Sequence, residues 1–208
     1  MPRRSSKRAE DDGIKVIRAQ ALLGKAHSSS RDAHSDLASA IALYEKCRSV
    51  GRTLRNPAMA ASVEAAALGG LGKLHESRGD PSQAVFHSGA ALALSQRIGD
   101  LEGQATHHGN LGSSLLRVGR AEEAHHHLHG AKALGRAAGR REQEGTIEEG
   151  LGDVTAELGR HAEAVAHYAS AVAQTRALGG AWEVCAAHRA YRATGPTAQL
   201  SYSAAGAS

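Results

Sequence analysis

The sequence predicts an all-α protein, a right-handed α-solenoid of helix-turn-helix repeats closed by a C-terminal capping helix. One pattern occurs three times between residues 71 and 180, at a step of 40 residues with no insertion or deletion. Fixed self-similarity at such a period is typical of solenoids. Apolar and small residues within each copy also recur at steps of three and four, which is the period of a helix face. Both observations predict stacked pairs of helices.

Each copy is predicted to be a helix, a tight turn and a second helix. A Leu-Gly pair such as Leu71-Gly72 is followed, seven positions after its glycine, by another glycine whose neighbour is Asp or Arg. Such a glycine closes a helix because it readily adopts the left-handed backbone conformation. Ala84 and Ala91 then lie on one face of the second helix. Together with Gly72, these small residues allow the two helices to approach closely.

This spacing resembles the tetratricopeptide repeat, in which an aromatic or bulky residue stands between the two alanines. Tyr168 fills that position in the third copy, Leu128 substitutes for it in the second, and Ser88 departs from it in the first. The usual repeat has about 34 residues, so the longer step is similar to the repeats of kinesin light chains and of GoLoco-binding polarity adaptors. The resemblance extends from about Gly13 to Arg192. It implies a non-enzymatic protein-interaction adaptor that captures a partner peptide or helix in its concave groove.

Upstream of the repeats, the sequence predicts a disordered basic leader at residues 1–10 and a divergent helix pair at residues 11–56. Asp11 or Asp12 is expected to cap the first helix, because apolar residues with helical spacing follow. A polar run at residues 27–32 is expected to break this helix, and a second helix is expected from about residue 34 to residue 50. Tyr44 occupies the aromatic position of this fourth, divergent repeat.

Residues 57–193 are predicted to hold three repeats, at about 61–100, 101–140 and 141–180, and a capping helix at 181–193. The capping helix carries Trp182 and Tyr191 and would cover the apolar end of the stack, as terminal repeats must. Residues 194–208 have neither charge nor periodicity and are predicted to be disordered. Nine helices are expected in all: the two of the first pair, six in the three repeats, and the capping helix. The six repeat helices are predicted at 57–78, 81–98, 101–118, 121–138, 141–158 and 161–178.

The charge distribution disfavours a nucleic-acid-binding fold. The formal net charge is +4, and four basic residues before residue 9 account for it, which leaves 21 basic and 21 acidic side chains in residues 9–208. A nucleic-acid binder usually carries its basic excess on the fold itself. Only 3% of the residues are aromatic, so stacking platforms for bases are scarce. We therefore expect no nucleic acid partner. Two alternatives to the adaptor function are a helical-repeat RNA-binding protein, which these charges disfavour, and a regulatory repeat subunit of a larger enzyme complex.

Cysteine usage and hydropathy favour a cytoplasmic protein without a membrane partner. No apolar run approaches the roughly 18 residues that a membrane span needs. The basic start of the chain is followed by no apolar stretch typical of a signal peptide. Cys47 and Cys185 have neither metal-like nor redox-like spacing and are interpreted as reduced thiols.

The histidines are interpreted as surface or packing residues, and the sequence predicts neither a metal site nor a cofactor; whether the cluster at residues 125–129 binds a metal is left open. His125 and His129 lie four residues apart on one helix, but no carboxylate or thiol is obviously placed to complete a zinc site. His87, His127 and His167 share one repeat position and are expected to form a ladder rather than a cage. No catalytic motif occurs, whether HExxH, GxSxG or a phosphate-binding glycine loop, and no catalytic residue is predicted.

The candidate binding site is the concave groove, which the first helix of each pair lines in the tetratricopeptide family. On each first helix, residues at steps of three and four share the face that is directed into the groove. Asn110 resembles the groove asparagine of the 40-residue adaptors, whereas Gly70 and Gly150 stand at the equivalent positions. The ten candidate residues are Lys73, Glu76, Thr106, Asn110, Ser113, Arg117, Thr146, Glu149, Asp153 and Glu157.

These candidates carry opposite charge at the two ends of the groove. Lys73 and Arg117 belong to its N-terminal part, whereas Glu149, Asp153 and Glu157 belong to the third repeat. Several such charges together fix the orientation of a ligand and speed its encounter. The expected partner is therefore a protein segment whose basic stretch lies against the third repeat. The sequence leaves the oligomeric state open.

Far-UV circular dichroism should give a predominantly helical spectrum, because paired helices are predicted to account for most of residues 11–193. The measurement needs only the purified chain in dilute buffer. A substantial strand signal would contradict the fold class and every inference that depends on paired helices.

Overall fold

The computed structural model describes residues 2–31 and 37–177 of the chain. Within these residues the chain forms eight α-helices, a short 3-10 helix and no strand. None of the described helices is long and apolar enough to cross a membrane. The α-helices are α1 Pro2–Arg31, α2 Leu37–Gly51, α3 Pro57–Ser77, α4 Pro81–Ile98, α5 Leu101–Arg117, α6 Ala121–Ala137, α7 Glu144–Glu157 and α8 His161–Ala177.

Consecutive helices pack in pairs, and the pairs stack into an α-solenoid. The pairs are α1 with α2, α3 with α4, α5 with α6, and α7 with α8. The first helices also contact one another along the stack, α1 with α3, α3 with α5, and α5 with α7. The predicted fold class is therefore confirmed. The ninth helix expected at 181–193 and the tail at 194–208 lie outside the described residues.

Glycine closes the first helix of each regular pair. Gly79 has a φ of 76°, and its N–H donates to the carbonyl of Glu76 at 3.0 Å, while the N–H of Asp80 donates to His75 at 2.9 Å. Such a left-handed residue closes a helix without steric penalty only when it is glycine. Gly119 and Gly159 repeat the geometry with φ values of 78° and 74°. The tight turns predicted from the repeat are present at all three positions.

Capping side chains begin some of the first helices, and one predicted helix is shorter than expected. Asn56 and Asp100 accept hydrogen bonds from backbone N–H groups in the first turns of α3 and α5. Arg140 occupies the position equivalent to Asp100 and cannot accept such a bond. Residues Arg141–Gln143 form a 3-10 turn, and α7 begins at Glu144. The prediction of a continuous α-helix from residue 141 is therefore wrong.

The N-terminal predictions need correction as well. Residues 2–10, expected to be disordered, form the first turns of α1, which begins at Pro2. Pro is well tolerated at the first helical position, and the following Arg, Lys, Ala and Glu residues favour helix. The polar run at residues 27–32 does not break α1 before Arg31. Asp12 is not a cap: it is buried within α1, and its carboxylate accepts from the backbone N–H groups of Arg55 and Asn56 at 3.1 and 3.2 Å.

Each of the three regular pairs has a close contact between a glycine on its first helix and a side chain on its second helix. A Cβ placed on Gly112 would lie 2.7 Å from Cγ of Leu128 and 3.2 Å from the carbonyl oxygen of Ala124. Gly152 has the same relation to Tyr168, with 2.5 Å to Cε1. A real side chain does not fit at such distances. The small residues predicted to permit close approach therefore lie at the helix contacts, and the paired alanines of the second helices are almost fully buried.

Two adjacent histidines on α5 are removed from water. His107 is only 5% exposed, its ring lies against Gly69, and its Nδ1 has no hydrogen-bond partner. Burial lowers its pKa to about 4, the neighbouring Lys73 lowers it further, and Asp100 opposes the shift. His108 places its Nδ1 2.9 Å from Nδ1 of His127 on α6. Burial and the neighbouring His127 lower the pKa of His108 to about 4.

Replacing Gly112 by Leu should lower the free energy of unfolding by about 1–3 kcal/mol or more, because the new side chain collides with Leu128 and the α6 backbone. Gly89→Leu is a matched control, since Gly89 lies within α4 and has no atom within 4 Å of an added Cβ. We expect the free energy of unfolding of this control to increase by about 0.5–1 kcal/mol, because leucine has a higher helix propensity than glycine. Chemical denaturation of both variants measures the difference. Equal stability of the two variants would contradict the packing described for Gly112.

Stability should decrease as the pH falls below about 6.5. The pKa of His107 and His108 is about 4 in the folded protein against an ordinary value of 6.5, so the unfolded chain binds more protons between these values. The free energy of unfolding should therefore be highest above pH 6.5 and decline towards pH 4. For the more deeply buried His107 we expect a loss of about 1–2 kcal/mol between pH 7 and pH 5.

Denaturant titrations at a series of pH values test this expectation, with His107→Gln and His108→Gln as variants that cannot titrate there. Each variant should reduce the decrease in the free energy of unfolding between pH 7 and pH 5. An unchanged pH dependence in both variants would show that these histidines are not responsible.

Candidate functional site

The first helices α3, α5 and α7 lie side by side and form a concave groove with two adjoining hollows. The N-terminal hollow, of about 450 Å³, lies between α3 and α5 and includes the buried His107. The C-terminal hollow, of about 390 Å³, lies among α3, α5 and α7. Lys73, Thr106 and Asn110 line both hollows. The two hollows are therefore parts of one continuous concave surface.

The structure places most of the sequence-derived candidates around the C-terminal hollow. Arg117 and Glu157 are not among its lining residues, although both lie exposed near the C-terminal ends of α5 and α7. The eight candidates that line it are Lys73, Glu76, Thr106, Asn110, Ser113, Thr146, Glu149 and Asp153. Because the repeat step is constant, equivalent residues of successive first helices lie next to one another in space.

Three of the candidates fasten α3 to α5. The carboxylate Oε1 of Glu76 accepts a hydrogen bond from the hydroxyl of Ser113 at 2.7 Å and lies 3.1 Å from Nε of Arg117. Glu76 is the more buried partner, with a side chain only 17% exposed. This arrangement orients Glu76, and it also neutralises much of the charge that Arg117 would offer to a ligand.

Asp153 has a structural contact that the sequence did not reveal. The hydroxyl of Tyr168, which lies on α8, donates to Oδ1 of Asp153 at 2.8 Å. The aromatic residue that packs on Gly152 thus also reaches the groove and orients a carboxylate there. The position of Asp153 is therefore coupled to the packing of the third repeat.

Glu142 and Gln143 also line the C-terminal hollow but were missed by sequence reasoning. They belong to the 3-10 turn before α7, where the helical spacing used to choose candidates does not apply. Arg140 contacts the carboxylates of both Glu142 and Glu102. The backbone N–H of Glu142 and the guanidinium of Arg140 hold the pKa of Glu142 below its usual range.

Packing explains why only one repeat carries the groove asparagine. A Cβ on Gly70 would collide with the ring of Tyr44, which projects from α2, the second helix of the preceding pair. A Cβ on Gly150 would lie 3.3 Å from the methyl groups of Leu128 on α6. At the position equivalent to Tyr44 and Leu128 in the intervening repeat stands the small Ser88. The small size of Ser88 is consistent with a larger residue, Asn110, at the next first helix.

The C-terminal hollow is acidic. One lysine and four carboxylates line it, namely Lys73, Glu76, Glu142, Glu149 and Asp153. Its remaining polar groups are hydroxyls and amides, which suit hydrogen bonding to a peptide. Within the described residues no group of three or more His, Cys, Asp or Glu side chains is arranged to hold a metal ion. The arrangement is suited to recognising a polar or cationic surface.

Comparison with known sequences and structures supports the repeat assignment. A sequence model of the tetratricopeptide repeat matches residues 103–177. No curated protein matches the chain. A crystal structure of a Podosopora anserina kinesin light chain with nearly identical TPR-like repeats superposes with a TM-score of 0.66 at 18% identity, over 86% of this chain and 86% of that one.

Two bacterial-type structures are similar in fold as well. Aspartyl phosphate phosphatase F from Bacillus subtilis has a TM-score of 0.70 at 9% identity, over 82% of this chain and 43% of its own. The apo form of RapI has a TM-score of 0.72 at 12% identity, over 90% of this chain and 66% of its own. The chain thus spans less than two thirds of either protein, and at such identities the likeness concerns the fold alone.

The matched segment includes two of the three regular helix pairs, and the same glycine contacts and turns occur in the pair that precedes it. Residues 103–177 therefore match the tetratricopeptide repeat, and the described residues have the helical solenoid fold of tetratricopeptide-like proteins.

Proposed function

We propose that this protein is an interaction module that captures an extended or helical segment of a protein partner in the concave groove, with no catalytic step of its own. Tetratricopeptide-type repeat proteins generally mediate protein–protein interactions. The observation that carries the proposal for this chain is the continuous concave surface with polar side chains from three successive first helices. Such a surface offers hydrogen-bonding groups at regular intervals along the length of a bound segment.

The charges of the groove favour a partner segment with a basic stretch against the third repeat. Glu149 and Asp153 line the C-terminal hollow, and Glu142 adds a carboxylate beside them. Glu157 lies exposed at the end of the same helix. At the other end, Lys73 lies between the two hollows, whereas Arg117 is paired with Glu76. Charge complementarity of this kind sets the orientation and the association rate of a ligand more than its affinity.

The rival functions have less support. A phosphate backbone would be repelled by the carboxylates of the C-terminal hollow, which disfavours RNA binding in the groove. The phosphatase title of one similar structure belongs to a protein of which this chain spans 43% at 9% identity, and it carries no activity over to this chain. A regulatory subunit of a larger complex would use the same groove to bind its partner. It is therefore a special case of the proposed function.

Neutralising the acidic end of the groove should weaken binding of the native partner and flatten its salt dependence. The variant is Glu149→Gln, Asp153→Asn, Glu157→Gln, in which the Asn keeps an acceptor for the hydroxyl of Tyr168. Each exposed pair contributes roughly 0–1 kcal/mol, so we expect a total effect of about 1–2 kcal/mol. The partner is first recovered from native lysate with the wild-type chain and identified by mass spectrometry. Its affinity and salt slope are then measured by calorimetry.

A matched control removes three carboxylates from the second helices instead, Glu122→Gln, Glu123→Gln and Glu163→Gln, which are all exposed. Both variants gain the same net charge, so a general electrostatic effect would appear in both. Circular dichroism checks that both keep the helicity of the wild type. Equal affinity and salt slope in the groove variant and the wild type would place the binding site on another face.

A further inference from the structure

One pair of histidines on α6 brings two ring nitrogens together near the surface. Nε2 of His125 and Nε2 of His129 are 3.2 Å apart, and the ring centroids are 4.4 Å apart in an edge-on arrangement. The residues are one helical turn apart, so the helix itself holds both rings on one face. His129 is exposed and His125 is half-buried. A hydrated ion therefore has access to both nitrogens.

We propose that His125 and His129 chelate a divalent cation of the zinc class, with water completing its coordination. Zinc binds imidazole nitrogen at about 2.0–2.1 Å, so an ion equidistant from two nitrogens 3.2 Å apart has an angle of about 100° between them. This angle is close to the tetrahedral value that zinc prefers. The distance between the two nitrogens thus suits one shared ion.

The surroundings hold the pair in place. The ring of His129 contacts that of His167 edge-on, with centroids 6.3 Å apart. Nδ1 of His167 in turn donates to Oε2 of the buried Glu148 at 2.8 Å, and Oε1 of Glu148 pairs with Lys132 at 2.7 Å. The ammonium of Lys132 is thus neutralised by Glu148 and does not act as an isolated charge against a bound cation. These contacts restrict the ring of His129 on the side away from solvent.

The chelate extends the interpretation of the sequence, which predicted no metal site because a third protein ligand was not evident. Structural zinc sites use four protein ligands, but a site with open positions keeps water in them. An imidazole is a ligand only in its neutral form, so the affinity for the cation should decrease in acid. His125 and His129 do not line either hollow of the groove. Cation binding at these histidines and partner binding in the groove can therefore be tested separately.

The experiment is a calorimetric titration of the untagged full chain with Zn²⁺ at pH 7.5, in a buffer that does not bind metal. We expect the double variant His125→Ala, His129→Ala to bind Zn²⁺ at least about tenfold more weakly, because the second imidazole adds to affinity as an intramolecular ligand. Each single variant should show the same direction of change. His126→Ala is the matched control, since His126 is exposed on the same helix but belongs to a different ring contact.

Retained affinity in His126→Ala together with the loss in the double variant supports the chelate. Unchanged affinity in the double variant, or an equal loss in His126→Ala, overturns it. Circular dichroism without metal verifies that α6 is intact in every variant. Thermal unfolding gives a second readout, because an ion that binds only the folded chain raises the melting temperature. That increase should be absent in the double variant.

Discussion

The three regular helix pairs depend on close contact between a glycine on the first helix and a side chain on the second helix. Gly112 meets Leu128 and Gly152 meets Tyr168 at distances that exclude a Cβ. Because interiors are packed as densely as organic crystals, this contact sets the separation of the two helices in each pair. The turn glycines, which have nearly the same φ, then reverse the chain into the second helix. Repeating the same contact at a constant step produces a regular solenoid and places equivalent faces of the first helices in one groove.

The residue between the two alanines of a second helix links the fold to the groove. Tyr44 and Leu128 extend beyond their own pair and occupy the space next to Gly70 and Gly150 on the following first helix. A large side chain at this position of a second helix thus requires a small residue at the facing position of the following first helix. In the intervening repeat the small Ser88 leaves room for a larger residue on the following first helix, where Asn110 lines the groove. The chemical character of the groove is therefore partly set by packing inside the preceding pair.

The two kinds of helix carry different polar chemistry. First helices present carboxylates, amides and hydroxyls to the groove, whereas α6 carries most of the histidine contacts. His87, His127 and His167 each contact the first helix of their own pair, through His75, His108 and Glu148 respectively. Glu148 is buried, yet Lys132 and His167 keep its pKa below the usual range. Titratable groups thus join the two helices of each of these pairs through specific partners.

The sequence by itself determined the helix pairs, the turn glycines and the face of each first helix that lines the groove, because all three follow from local periodicity and a constant step. For this reason α4 begins and ends where predicted, and eight candidate residues surround one hollow. Only the tertiary structure decided what those side chains contact. Asp12 binds the backbone 43 and 44 residues away, Ser113 binds Glu76 at a separation of 37, and Tyr168 binds Asp153 at 15. Periodicity places a side chain on a face, but its partner comes from another helix, and the distance between helices is set by packing that no single segment contains.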